Sequence, residues 1–266
     1  MRLGIGSYTY TWSLGVPGQA QPASPMSVEG LIDTAGSLGV SVVQLCDNVP
    51  LPGYSRAALE GLAHRAKERG IALEAGIRGT DPALLRKMIA AAVSLEARLL
   101  RTMITTTVEQ AEIDIRQVLP ELERRRVTLA MENYERHSVR ALACLIRRLA
   151  SPLVGACLDT VNSLGALETP AEVIRELLPL TSSLHVKDFD VVRADHRMGF
   201  SVVGTAAGKG RLDIPGLIDG ARASGRDPNA IVELWTPFAG DIERTVAAER
   251  AWAQESISYL RRYIRS

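Results

Sequence analysis

The sequence predicts a single closed (β/α)8 barrel, and three observations lead there. Strand-like and helix-like segments alternate along all 266 residues, eight of each. The strand segments are continuous apolar runs rather than alternating ones, which suits a parallel sheet covered by helices. The length, at 46% hydrophobic residues, is ordinary for a barrel folded as one domain. The competing architecture is a doubly wound open sheet. That fold opens with a glycine-rich turn leading into a helix. Gly4-Ile5-Gly6-Ser7-Tyr8-Thr9 lacks the third glycine and leads to no immediate helix.

In chain order, the first strand is Leu3–Tyr8. An excursion over Tyr10–Ser27 follows, broken by Pro17, Gly18, Pro22 and Pro25. Ser27 then caps a helix over Ser27–Leu38, and Gly39 stands where a left-handed residue ends it. Strand Ser41–Cys46 leads to helix Arg56–Arg69, closed by Gly70. Strand Ala72–Ile77 leads to helix Pro82–Leu95, with Asp81 ahead of a proline at the first helical position. Strand Leu99–Ile104 and helix Thr107–Arg124 form the fourth unit, strand Thr128–Glu132 and helix Val139–Leu149 the fifth. Strand Val154–Leu158 with helix Ala171–Leu178, strand Ser183–Val186 with helix Ile214–Ala223, and strand Ile231–Leu234 with helix Asp241–Tyr263 complete the eight. The seventh connection is unusually long. Residues 188–212 read as an active-site loop, because long connections in compact domains are usually functional and this one leaves the carboxyl end of a strand.

A formal net charge of +1 gives no global field to attract nucleic acid or an anionic membrane. The N-terminal MRLGIGSYTYTW lacks the apolar stretch of a signal peptide, and no run approaches a membrane span. Cys46, Cys144 and Cys157 form no CxxC pair, and Cys46 and Cys157 lie in strand-like runs. Reduced thiols and a cytoplasmic protein are expected.

Four strand segments end in residues that bind metals: Glu132 in VTLAMENYERH, Asp159 in LVGACLDTVN, His185 in SSLHVKD and Glu233 in AIVELW. A barrel gathers groups at the carboxyl ends of its strands. Three carboxylates and one imidazole from consecutive strand ends make a hard, oxygen-rich site. Mn²⁺ is the expected ion, with Mg²⁺ and Co²⁺ as alternatives. Each carboxylate alone reads equally as an ion-pair partner or a helix cap; the four together argue for an enzyme.

Taken together, these segments resemble the xylose isomerase-like TIM barrel superfamily, in particular its sugar phosphate isomerase/epimerase group with the ketose 3-epimerases. The resemblance spans essentially the whole chain, and the MEN, LDTVN and HVKD runs with Glu233 carry it. It implies Glu132, Asp159, His185 and Glu233 as metal ligands, and Glu132 and Glu233 as the catalytic pair that exchanges the substrate proton. Dimers and tetramers are common in that family, so a homodimer or homotetramer is expected. Sugar epimerases carry a histidine shortly after the sixth-strand aspartate; here Asn162 stands in DTVN, able to bind substrate but not to become a cation.

Arg78, Arg101, Arg136 and Lys187 fall at or just after predicted strand ends. Each alone reads as a solvated or paired charge. Together they suggest a mouth that binds an anionic substrate, a sugar acid or sugar phosphate, since the guanidinium fork suits carboxylate or phosphate. GTAAGKG (204–210) is not a phosphate-binding P-loop, because its glycine spacing is a residue short and Gly210 replaces the Ser/Thr. It reads as a flexible lid segment whose Lys209 reaches a substrate anion on closure. His137 and His196 read as exposed or as donors beside the ligands, and His64 as a charge near a helix end. Tyr8, Trp12 and Phe238 are candidate pocket walls, and Trp252 and Tyr259 pack on the barrel or a partner subunit.

The leading expectation is a metal-dependent sugar isomerase or epimerase working through an enediolate. The alternative is a decarboxylase of a 3-oxo sugar acid on the same scaffold, since loss of CO₂ leaves the same kind of enolate; MGFSVVGTAAGKG and the arginines resemble such members. A dehydratase takes a smaller share. A DNA-repair endonuclease needs a histidine-rich zinc cluster and a basic face, which four histidines and this net charge do not supply. A non-catalytic sugar-binding barrel has no use for a full ligand set.

Overall fold

The structure, a computed structural model, describes residues 1–195 and 198–264. Eight strands pair in parallel and close into a barrel: β1 (Leu3–Gly6), β2 (Val42–Leu45), β3 (Ala72–Arg78), β4 (Leu99–Met103), β5 (Thr128–Glu132), β6 (Val154–Asp159), β7 (Thr181–Val186) and, last in the chain, β10 (Asn229–Val232), which joins β7 to β1. The predicted single barrel is therefore the observed one.

The helices form the outer layer: α1 (Thr11–Leu14), α2 (Val28–Ser37), α3 (Arg56–Glu68), α4 (Pro82–Ser94), α5 (Val108–Arg116), α6 (Leu119–Arg125), α7 (Val139–Leu149), α8 (Pro170–Leu177), α9 (Ile214–Ala223) and α10 (Ile242–Leu260). Eight of these ten starts are set by side-chain caps. Ser27, Ser55, Asp81, Thr107, Ser138, Thr169, Asp213 and Asp241 each accept a backbone N–H of the first turn. Such a cap is worth about 1 kcal/mol. Gly39 and Gly70 have φ of 63° and 67°, the left-handed conformation expected of them. The helices present their apolar faces to the sheet. α7 turns Leu142, Leu145, Ile146 and Leu149 inward and leaves Arg147 and Arg148 exposed. Burying each such leucine contributes about 1.5–3 kcal/mol.

Two expectations change. The helix predicted over Thr107–Arg124 is two helices, α5 and α6. Pro120 has no N–H to continue the first, so the chain stops at Gln117 and restarts with the proline in its first turn. The long seventh connection contains an antiparallel hairpin, β8 (Asp188–Arg193) on β9 (Phe200–Thr205). The GTAAGKG run is held by hydrogen bonds to one buried carboxylate. Asp188 is 1% exposed, and its Oδ2 accepts the N–H groups of Gly208 and Gly210 at 2.9 and 3.0 Å while Oδ1 accepts that of Leu212 at 3.1 Å. A Cβ at position 210 would lie 2.2 Å from Phe189 O, so glycine lets the turn close on this carboxylate. Lys209 turns away and pairs with Glu255 of α10 at 2.9 Å.

Among the described residues no helix is long and apolar enough to cross a membrane. Cys46 and Cys157 are buried free thiols, and Cys144 is an exposed one.

Candidate functional site

Glu132 and Asp159 end β5 and β6, His185 is the penultimate residue of β7, and Glu233 follows β10. All four are 3% exposed or less. A register shift aligns the middle pair. Ala156 lies opposite Thr181 but Cys157 lies opposite Ser183, so Ser182 is an extra residue in β7 and Asp159 meets His185. Such bulges re-aim side chains near sites. Gly155 makes room for this one, since a Cβ there would lie 2.1 Å from Ser182 Oγ.

His185 Nδ1 lies 3.1 Å from Glu233 Oε1, 3.7 Å from Glu132 Oε2 and 3.9 Å from Asp159 Oδ2. Asp159 Oδ1 accepts the N–H groups of Val161 and Asn162 at 2.8 and 2.7 Å, which leaves Oδ2 for the centre. Lys187 Nζ lies 2.9 Å from Asp159 Oδ2, 2.9 Å from Glu233 Oε2 and 3.2 Å from Asn162 Oδ1. Arg101, 2% exposed, donates to Glu132 Oε2 through Nε and to Asp47 Oδ1 at 2.6 Å through Nη1. Asn162 Nδ2 donates to the other Glu132 oxygen at 2.7 Å.

Burial raises the Glu132 pKa, but Arg101 and then His185 oppose it and hold the carboxyl below its usual range. Burial works against an imidazolium at His185. The Cys157 sulfur and the Glu233 and Glu132 carboxylates outweigh it, so its pKa stands well above the ordinary value. Burial likewise works against the Lys187 ammonium and is overcome by Asp159 and Glu233.

Two observations show that this cluster suits a divalent cation. The carboxylates of Asp47, Glu132, Asp159 and Glu233 face the cations of Arg101 and Lys187 and the imidazolium that His185 favours, a surplus of one negative charge. And buried His185 Nδ1 and Glu233 Oε1 have no hydrogen-bond partner, while Asp159 Oδ2 has only its ion pair with Lys187; a buried polar group left unsatisfied costs about 1–3 kcal/mol. One ligand atom from each of these three residues falls within 4.8 Å of the others. Glu132, Cys157 and His185 form a second such group. Burial pushes the Cys157 thiol up to about 11, and this opposes the thiolate that a sulfur ligand requires.

The cluster floors a cavity of about 410 Å³ at the barrel mouth. Arg78, Arg101, Glu132, Asn162, Lys187 and Glu233 line it together with Tyr8 and Trp12. Phe238 stands behind Trp12, ring centroids 5.5 Å apart. Arg78 lies over the Tyr134 ring at 4.9 Å and, among the described residues, has no carboxylate partner. Arg136 is exposed and does not line the cavity. His137 bonds Thr106 O at 2.8 Å, and His64 pairs with Glu68 on the surface of α3. His196 lies outside the described residues. A larger groove of about 480 Å³ lies on the helical shell between α3 and α4, but its charged residues are exposed and no ligand cluster meets there.

Sequence reasoning passed over Asp47, Gln44 and Glu74. His185 Nε2 lies 2.7 Å from Gln44 Oε1, and Gln44 Nε2 donates to Glu74 Oε2 at 2.8 Å. A polar residue inside an apolar strand run, as in VVQLCD and ALEAGI, was the available signal.

A closed parallel barrel with acids, an imidazole and cations converging at its carboxyl face is the architecture of a barrel enzyme. The chain belongs to the xylose isomerase-like TIM barrel family, whose profile matches residues 7–263. It is 33% identical over 265 residues to a 3-oxo-isoapionate decarboxylase of Pectobacterium atrosepticum, covering 98% of this chain and 95% of that one. Among solved structures it resembles D-psicose 3-epimerase from Clostridium cellulolyticum H10, with a TM-score of 0.74 at 15% identity over 99% of both chains. It also resembles a magnesium-bound xylose isomerase-like barrel from Mycobacterium smegmatis, with a TM-score of 0.67 at 15% identity over 97% of both.

Proposed function

We propose that this protein is a divalent-metal-dependent decarboxylase of a 3-oxo sugar acid. The observation that carries the reading is the 33% identity, along nearly the full length of both chains, to a decarboxylase of that substrate class. The geometry of Glu132 supports it against the epimerase first expected. An epimerase needs two carboxyls on opposite faces of the substrate, one giving a proton and one taking it. Both oxygens of Glu132 already accept hydrogen bonds, from Arg101 and Asn162, and its pKa is held low. That suits a fixed anionic ligand and not one member of a proton-exchanging pair. Decarboxylation needs only one donor.

Glu132, Asp159, His185 and Glu233 would hold the ion, and the oxygen-rich set selects Mn²⁺, then Mg²⁺ or Co²⁺. When bound, the ion supplies Lewis-acid polarisation of the 3-oxo oxygen. Arg78 is the cation left to draw the substrate carboxylate into the cavity, while Asn162 Nδ2, with one N–H beyond its bond to Glu132, holds a substrate hydroxyl. The bond between C2 and the carboxyl carbon breaks, its electron pair passes into the oxo group, CO₂ leaves, and C2 takes a proton. Glu233 lines the cavity and is the group placed to deliver it, after taking up that proton from water.

The test is incubation of Mn²⁺-loaded protein in D₂O with 3-oxo sugar acids and, separately, with ketoses and ketose phosphates. Release of CO₂ with deuterium at the former carboxyl-bearing carbon is expected. Deuterium exchange into ketoses without CO₂ would replace this reading with the epimerase.

A further inference from the structure

We propose that Glu74, acting through Gln44, is a positioning residue that fixes which His185 nitrogen faces the cluster. The proposal rests on the metal-site reading above.

The chain of contacts is continuous and buried. Gln44 and His185 are 0% exposed and Glu74 3%. Asn229 Nδ2 donates to Glu74 Oε1 at 2.6 Å, Gln44 Nε2 donates to Glu74 Oε2 at 2.8 Å, and Gln44 Oε1 faces His185 Nε2 at 2.7 Å. The strand register sets these neighbours. Gln44 pairs with Glu74 across β2 and β3, and Ile231 and Asn229 pair with His185 and Ser183 across β10 and β7. The chain thus runs along the barrel axis, from its amino-terminal end to the ligands.

A side-chain amide can turn over, exchanging its donor and its acceptor. Here three partners prevent it. Burial raises the Glu74 pKa and the bonds from Asn229 and Gln44 oppose it; while the carboxyl is ionised both oxygens are acceptors, and the Gln44 NH₂ faces them. Gln44 Nε2 also reaches Ser183 Oγ at 3.3 Å, and Cys46 Sγ donates to Gln44 Oε1 at 3.2 Å. With Oε1 held toward His185, Nε2 of the imidazole carries hydrogen, and a neutral ring then presents its lone pair at Nδ1. Nδ1 is the atom that lies 3.1 Å from Glu233 Oε1 without a hydrogen-bond partner. A turned amide would offer its NH₂ to Nε2 and place the ring hydrogen at the ligand position. Outer partners of ligating imidazoles act in this way, fixing tautomer and orientation. Here the anchoring carboxylate stands one side chain further away.

The first measurement is a long-range ¹H–¹⁵N spectrum of the Mg²⁺-loaded protein, with His185 assigned by comparison with His185→Gln. Hydrogen at Nε2 and none at Nδ1 is expected; the reverse overturns the proposal without any variant at 44 or 74. The second is Mn²⁺ titration by calorimetry. Glu74→Met should weaken Mn²⁺ binding by about 10- to 100-fold. Gln44→Glu combined with Glu74→Gln, which reverses the donor and acceptor but keeps an acceptor at His185, should recover most of that loss. A folded Glu74→Met protein with unchanged Mn²⁺ affinity overturns the proposal, as does a double variant no better than Glu74→Met. If the unmodified protein binds none of Mn²⁺, Mg²⁺ or Co²⁺, the metal-site reading itself falls, which separates its failure from that of the relay.

Discussion

The Arg101 guanidinium is sealed against the Glu132 carboxylate, with side-chain exposures of 3% and 1%. Solvent scarcely reaches either, and Asp47 shares the same guanidinium at 2.6 Å. Arg101→Met should therefore leave two carboxylates uncompensated and destabilise the fold by about 3–5 kcal/mol. Urea denaturation read by circular dichroism measures this. Arg101→Lys should lose less, because the charge remains while the second hydrogen bond is lost.

Metal affinity should rise with pH. The His185 pKa stands above the ordinary imidazole value because Cys157, Glu233 and Glu132 surround it. Below that raised pKa the ring is protonated, and an incoming ion must displace the proton. As pH rises through it, the competition disappears and binding tightens. Calorimetry of Mn²⁺ binding in buffers of different ionisation enthalpy should show net proton release that declines toward high pH. Affinity flat from about pH 6 to about pH 8 would contradict this.

The two glutamates should separate kinetically. Glu233→Gln should lower kcat by about 10²–10⁴-fold, the usual contribution of a positioned proton donor. Glu132→Gln should act mainly on Mn²⁺ affinity, with kcat recovering at saturating metal. Equal kcat losses at saturating Mn²⁺ would return Glu132 to the proton-exchanging role.

Asp188→Asn should loosen the hairpin and the turn after it. The amide group would face backbone N–H groups that now donate to a carboxylate, a cost of about 1–3 kcal/mol. Hydrogen exchange should accelerate at Gly208, Gly210 and Leu212 while the barrel strands stay protected.

The barrel was legible because its signals are local. Apolar runs, caps at Ser27 and Asp81, and glycines at 39 and 70 each fix one element by themselves. The convergence of Glu132, Asp159, His185 and Glu233 was legible for a related reason. A strand's carboxyl end is a position in sequence, and the barrel makes such positions neighbours. What escaped depends on partners distant in the chain. Arg101 looked like a substrate cation, but Asp47, fifty-four residues away, and Glu132 already hold it. Arg136 follows Glu132 by four residues, yet the chain has left the mouth by then. Lys209 looked available until Asp188 and Glu255 fixed its turn. Gln44 and Glu74 were hidden by their strands, where a polar residue signals the barrel interior without naming the group it meets.

The extra residue Ser182 has a consequence for what this scaffold tolerates. Side chains alternate in and out along a strand, so a ligand's direction depends on whether an odd or even number of residues separates it from the strand's anchored start. Between Thr181 and His185 that parity is matched to β6 only because one residue bulges out. A chain lacking Ser182 would have to give up its first β6 contact or turn His185 into the helical shell. The site can thus be dismantled by a length change that alters none of its four converging residues, while Gly155, by leaving space for the bulge, is as much a condition of the cluster as the acids themselves.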